Sequence, residues 1–385
     1  MIYLLIEFID ELVFGVGEAA WPFIRNDLHL NYVQIGLALS LPGFLANFIE
    51  PFIFTLSDVW RRRTVILIGG VFFTISLFLT SLSFSFIFLL SSFILFNPSS
   101  GAFVGLSQAS LMDSDVTHRE NNMARWTFAG SLGVVIGPIL LSGAAYIGFG
   151  WRGMFFGVAL LATLILLIAW TRIPHDKPIA VSFPKFGDIF KQFHATFAAL
   201  KNWNVVRWLI LLEFSDLMLD ILYGFLPLYF VDVAGFTPAQ AALSVTVWTG
   251  VGLLGDFLLI PLVERIKGLD YLRVSVVIEL IFFPLFLLST IPWLKLVIVG
   301  LMGFFNAGWY AILKAKLYES MHGQTAAALT LDNVSGLFGK LIPFGIGLAA
   351  QTFGLGVAMW LLLAGPIVLL IGLPRKVEWT SDESL

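Results

Sequence analysis

The chain has 385 residues, of which 58% are hydrophobic and only 12% charged, with a net charge of −3 and a mean hydropathy of +0.92. Ordinary globular domains carry about 25% charge, so a soluble fold could not cover its surface and the composition predicts a polytopic membrane protein. The absence of cysteine excludes disulfide frameworks, thiolate metal sites and cysteine nucleophiles. The five histidines fall in polar connections, so no intramembrane metal or haem site is expected, no cofactor is implied, and nothing in the charge balance points to nucleic acid.

A bilayer core needs about 20 apolar residues per helix. Twelve stretches qualify: 2–23, 33–55, 64–82, 85–110, 127–147, 153–171, 208–231, 240–262, 273–291, 293–313, 325–349 and 354–373. The first carries Glu7, Asp10 and Glu11 with no basic flank, unlike a cleavable signal. One long polar connection, 172–206, separates the sixth stretch from the seventh. The expected organisation is therefore an N-terminal six-helix bundle over 1–171, a linker over 172–206, a C-terminal six-helix bundle over 207–373 and a tail over 374–385. With the N-terminus placed in the cytoplasm, eighteen of the 22 Lys and Arg fall in cytoplasmic connections. Only Arg25, Arg152 and Lys295 then lie outside, and Lys340 lies within a span. That bias predicts that both termini are cytoplasmic and that the chain crosses the cell (plasma or inner) membrane many times.

The two halves echo one another. At an offset of 205 residues Glu11 meets Asp216, Pro22 meets Pro227, Asp27 meets Asp232 and Pro138 meets Pro343. One residue later Gln34 meets Gln240 and Asp58 meets Glu264. Duplication with parallel halves is the natural reading.

The loop after the second span reads Leu56-Ser57-Asp58-Val59-Trp60-Arg61-Arg62-Arg63. An acid closing one helix beside a basic cluster opening the next suits a charge latch, in which a carboxylate meets a helix N-terminus and arginines reach loop acids. A simple positive-inside anchor is the other reading. In the fifth span, Gly133-x-x-x-Gly137-Pro138 places two small residues four apart beside a kinking proline, for close helix packing or for a moving joint.

Twelve spans in two sixes, a basic central linker and these two motifs together resemble the major facilitator superfamily. Asp58, Arg62 and Arg63 stand for the acid and basic residues of that family's loop between helices 2 and 3, while Phe54, Val59 and Arg61 replace its two glycines and first basic residue. Gly133, Gly137 and Pro138 resemble the core of its antiporter signature, with Leu141 and Ser142 in place of a Gly-Gly pair. The resemblance implies an all-α fold of two six-helix bundles. It also implies a conformational gate at Asp58, Arg62, Arg63, Gly133, Gly137, Pro138 and, by the internal repeat, Glu264. It names no substrate. The sequence Gly250-Val251-Gly252-Leu253-Leu254-Gly255 fits a dinucleotide fingerprint, but it lies inside an apolar span with no preceding strand and reads as helix-packing glycine.

Charge at mid-bilayer costs at least about 2.5 kcal/mol. Glu213, Asp216 and Asp220 nonetheless form one acidic stripe on the seventh span, at about 100° per residue. Glu7, Glu11 and Glu18 share a face of the first span, with Asp10 nearby. With so little basic compensation, several of these acids are expected to hold a proton at rest or to line water. In the resembled fold, helices 1, 4, 7 and 10 line a central cavity. The residues near mid-depth on those helices are Asp10 or Glu11, Asn97, Asp216 or Asp220, and Asn306. These, with Trp309 as a stacking surface and Lys340 as a counter-charge, form the candidate site for protons and substrate. Packing is the alternative for Trp309, and an ion pair is the alternative for Lys340. Glu7 and Glu213 sit near helix ends, where they can reach the interface. Glu50 and Asp256 are candidate gate partners, and Glu279, on a helix that is peripheral in the resembled fold, is either one member of a buried pair or a protonated acid.

The expectation is a secondary active transporter working by alternating access, with the lipid bilayer as its medium and protons as the coupling ion. Unpaired acids and scarce cavity cations favour efflux of a lipophilic or cationic small molecule. Proton-coupled or facilitative uptake of a sugar or other small metabolite is the alternative, suited by the paired asparagines. An enzyme would need a nucleophile with its base, or a metal, and no such motif is present.

Overall fold

The computed structural model describes residues 1–59, 61–114, 119–174, 199–263, 265–321, 331 and 335–374. Among these the chain is all helix. The N-terminal half comprises α1 (Ile2–Leu28), α2 (Tyr32–Val59), α3 (Arg62–Ser81), α4 (Phe86–Ser114), α5 (Arg119–Tyr146) and α6 (Gly150–Arg172). The C-terminal half comprises α7 (203–232), α8 (Pro238–Val263), α9 (Gly268–Leu288), α10 (Pro292–Ser320), α11 (335–353) and α12 (Leu355–Gly372). Nine of these helices are long and apolar enough to span a membrane by composition alone. Neither α1 nor α7 is among the nine, and these two carry Glu7, Asp10, Glu11, Glu18, Glu213, Asp216 and Asp220.

Matching positions in the two halves build matching local structures. Asn31 and Gln34 cap the start of α2 reciprocally: Gln34 N–H donates to Asn31 Oδ1 at 2.9 Å and Asn31 N–H to Gln34 Oε1 at 3.0 Å. Thr237 and Gln240 repeat that box at the start of α8, at 3.3 and 3.0 Å. Each box satisfies two backbone donors that an uncapped helix leaves orphaned. At the opposite end of the bundle, Arg63 donates to the carbonyls of Ile173 (3.1 Å) and Trp170 (2.5 Å), where α6 terminates. Arg273 at the start of α9 likewise donates to the carbonyl of Pro374, just past α12. Cations placed on helix C-termini complement the unsatisfied carbonyls there.

The end that carries Ile2 of α1 and Trp203 of α7 is here termed the lower end. Two interruptions shape the cavity helices. A π-turn at Gly101–Gly105 divides α4, and another at Leu217–Ile221, which starts just after Asp216 and contains Asp220, divides α7. The α10 helix breaks outright, one segment ending at Asn306 and the next starting at Trp309, with Gly308 in the left-handed region at φ 72°. Tyr271 on α9 closes the break by donating to the carbonyls of Phe305 (3.3 Å) and Ala307 (3.1 Å), and Gly308 N–H donates to Asp256 Oδ1 at 3.2 Å. Backbone groups freed inside a membrane must find such partners.

Candidate functional site

The two halves enclose a central cavity of about 260 Å³. Glu18 of α1 and Glu213, Asp216 and Asp220 of α7 line it, with Asn97 of α4 and Lys340 of α11. Its apolar wall includes Phe14, Trp21, Phe93 and Phe96. The acidic stripe of α7 thus faces the cavity along its length. Glu213 Oε1 accepts from Ser335 Oγ at 3.0 Å, and Gly339 of α11 lies directly against the same carboxylate. Asn97 Nδ2 donates to the Phe93 carbonyl at 3.1 Å. The Lys340 side chain runs past Gly43 of α2 and makes no ion pair among the described residues.

The upper end of the cavity is shut by contacts between the halves. Phe14 stacks on Tyr223 with ring centroids 5.5 Å apart, and Glu18 Oε2 lies 3.2 Å from where a side chain on Gly224 would begin. Glu18 Oε2, the Trp21 indole nitrogen and the Tyr223 hydroxyl are buried there without a hydrogen-bond partner. Above them Arg25 of α1 pairs with Asp232 at the end of α7 through both carboxylate oxygens, one at 2.6 Å, and Tyr32 also donates to Asp232. Tyr32 N–H donates to Gln351 Oε1 of α11 at 3.2 Å, and Phe344 N–H to Ser40 Oγ of α2 at 2.9 Å. Ser142 of α5 donates to the Ala239 carbonyl of α8 at 3.1 Å. The Arg25–Asp232 latch was not anticipated from the sequence. Its signal is present in Arg25, one of three basic residues placed on the outer side of the membrane.

Other expected site residues lie elsewhere. Asn306 and Trp309 do not line the cavity. The break in α10 turns them onto α9, where the Trp309 indole donates to Ser275 Oγ at 2.8 Å and the Asn306 amide meets Glu279 Oε1 at 3.4 Å. Asp10 and Glu11 also sit behind the cavity wall rather than on it. Asp10 accepts from Ser100 Oγ of α4 at 2.8 Å, while Glu11 lies under α5 and within electrostatic reach of Asp220. Glu18 and Glu213 are not among the cavity residues expected from mid-depth position alone, because both stand away from the middle of their spans.

Of the expected gate residues, Arg62 pairs with Asp113 at the foot of α4 at 2.8 Å, and Arg63 holds the end of α6. Both therefore tie the lower ends of N-terminal helices together. Asp58 ends α2, but its side chain, like Glu264, lies outside the described residues. Gly133 and Gly137 pack α5 on α1: a side chain begun at Gly133 would lie 2.6 Å from the Phe8 carbonyl, and one at Gly137 2.8 Å from that of Leu12. Pro138 abuts Gly15 from the same side. Gly252 and Gly255 similarly face the backbone of α10, as helix-packing glycines do.

The sequence profile described as "Major Facilitator Superfamily" matches residues 3–342. The quinolone resistance protein NorA of Staphylococcus aureus is 22% identical over 365 residues, spanning 94% of this chain and 87% of NorA. The transcription regulatory protein OpdE of Pseudomonas aeruginosa is 22% identical over 345 residues, spanning 86% of this chain and 80% of OpdE. The crystal structure of the nucleoside transporter NupG superposes with a TM-score of 0.77 over 97% of each chain at 14% identity, a likeness of fold.

Proposed function

The chain belongs to the Major Facilitator Superfamily, and on that premise we propose that it is a secondary active transporter that exports a lipophilic or cationic small molecule in exchange for protons. The observation that carries this reading is the imbalance of the cavity, where among the described residues four carboxylates, Glu18, Glu213, Asp216 and Asp220, face one lysine beneath aromatic walls. An anionic substrate would need the reverse. A carboxylate in a low-dielectric cavity requires either a proton or a cation, and cannot hold both at once. Competition between a proton and a cationic substrate for Asp216, Asp220 and, through them, Glu11 is the exchange step. Aromatic faces beside such acids favour a delocalised or substituted cation. The likeness to a quinolone resistance protein accords with export.

We place the lower end and both termini in the cytoplasm of a cell membrane, in line with the distribution of basic residues. The shut upper end then seals the cavity from the outside. Arg25–Asp232 is the outer latch that must open for release. The test is substrate-dependent proton movement in everted vesicles. Asp216→Asn should abolish it while leaving the protein folded, and a wild-type response in that variant would overturn the assignment.

A further inference from the structure

Glu279 is 0% exposed on α9 and takes no part in the central cavity. Its Oε1 accepts from Asn306 Nδ2 at 3.4 Å, and the same amide nitrogen lies 3.5 Å from the carbonyl of Met218, inside the π-turn of α7. Two further atoms of this pair, Glu279 Oε2 and Asn306 Oδ1, are buried with no hydrogen-bond partner. Both are acceptors when the acid is ionised. Leaving such atoms unsatisfied costs about 1–3 kcal/mol each, and more for a charge.

Among the described residues of the surrounding helices, none supplies a positive charge to this pair. Residues 355–372 of α12 contain no ionisable group. On α10, Lys295 is taken up at the upper end by the Tyr229 hydroxyl and the Phe286 carbonyl, Lys316 pairs with Glu319, and Lys314 bonds to Tyr310. On α9 itself Arg273 pairs with Asp270, and the Tyr271 hydroxyl bonds the α10 backbone. The ionisable groups of the membrane part of α7, Glu213, Asp216, Asp220 and the tyrosines, offer no cation. On α8, Asp256 meets Gly308 on the far side of the break. A single proton on the Glu279 carboxyl removes the difficulty, because its hydroxyl becomes a donor and the amide oxygen an acceptor.

We propose that Glu279 and Asn306 form a proton-binding site, an acid–amide pair that fixes the break in α10 and, through the second amide hydrogen, the π-turn of α7 that presents Asp220 to the cavity. Glu279 is a positioning residue in this arrangement, and the proton is its ligand. Ser275, one turn earlier on α9, holds Trp309 on the other lip of the break, so α9 grips both ends of the interruption. The pair accounts for an acid on a peripheral helix and for an asparagine that leaves the cavity.

The test needs no substrate and does not rest on the transport reading. Infrared spectra of the purified full-length protein at about pH 7, well above an ordinary glutamate's range, should contain a protonated carboxyl stretch that is lost in Glu279→Gln and shifted in Asn306→Leu. Glu279→Gln, whose amide also offers one donor and one acceptor to Asn306, should melt at the wild-type temperature, whereas Glu279→Leu should melt lower. The proposal is overturned if the wild-type and Glu279→Gln spectra show the same acid bands, or if Glu279→Gln melts as low as Glu279→Leu.

Discussion

Replacing Asp232 by asparagine should release the upper latch. Arg25 and Asp232 are only 16% and 21% exposed, so their attraction is less screened than that of a surface pair. The substitution removes the charge from two guanidinium hydrogen bonds and from the Tyr32 contact. Hydrogen bonds to charged groups contribute about 1.5–3 kcal/mol each. The asparagine still accepts one of them, so a net loss of about 2 kcal/mol is expected, which shifts the ratio of molecules open at the upper end to molecules shut there about thirtyfold. The absence of native cysteine makes this measurable without background. Gly17 lines the cavity and has open space where a side chain would begin, so Gly17→Cys introduces a thiol there without a clash. In that background a membrane-impermeant maleimide applied from outside should label slowly, and adding Asp232→Asn should raise the rate by about the same factor, thirtyfold. Labelling from outside that is equally fast with and without Asp232→Asn would refute the latch.

Three further outcomes follow from the same geometry. Gly133→Ala should lower the melting temperature, because the added methyl would press on the Phe8 carbonyl at 2.6 Å and overpacking costs about 1–3 kcal/mol, whereas Gly143→Ala, with open space, should not. Gly308→Ala should destabilise the break in α10, since φ 72° suits glycine and Leu259 crowds the position; scanning calorimetry against Gly250→Ala, where nothing crowds the added carbon, provides the comparison. Arg62→Ala should loosen the lower end of α3 from α4 and speed amide hydrogen exchange there, while Lys316→Ala, within one helix, leaves that exchange unchanged.

The twelve helices and their duplication were legible because hydropathy and capping act locally. Gln34 and Gln240 fall one residue off the main repeat offset, and each closes the same capping box. The stripe of Glu213, Asp216 and Asp220 was legible because helical spacing sets which residues share a face, and charge restricts that face to water or to a partner. What failed was the step from depth to cavity. Asn306 and Trp309 stand at the right height on a cavity helix, but the glycine at 308 lets the backbone turn, and a one-residue change of phase moves a side chain to a different neighbour. The pairings of Arg25 with Asp232 and of Glu279 with Asn306 join residues far apart in sequence, and no local rule selects one partner among many.

The central claim is exchange of a cation for protons through the acidic cavity. Its most direct test uses the purified protein in liposomes loaded with a fluorescent lipophilic cation, with no nucleotide present and a pH gradient imposed across the membrane. The account predicts that the gradient alone drives the cation uphill, that reversing the gradient reverses the direction, and that Asp216→Asn does neither. Cation movement that ignores the pH gradient, or that persists in Asp216→Asn, would contradict it.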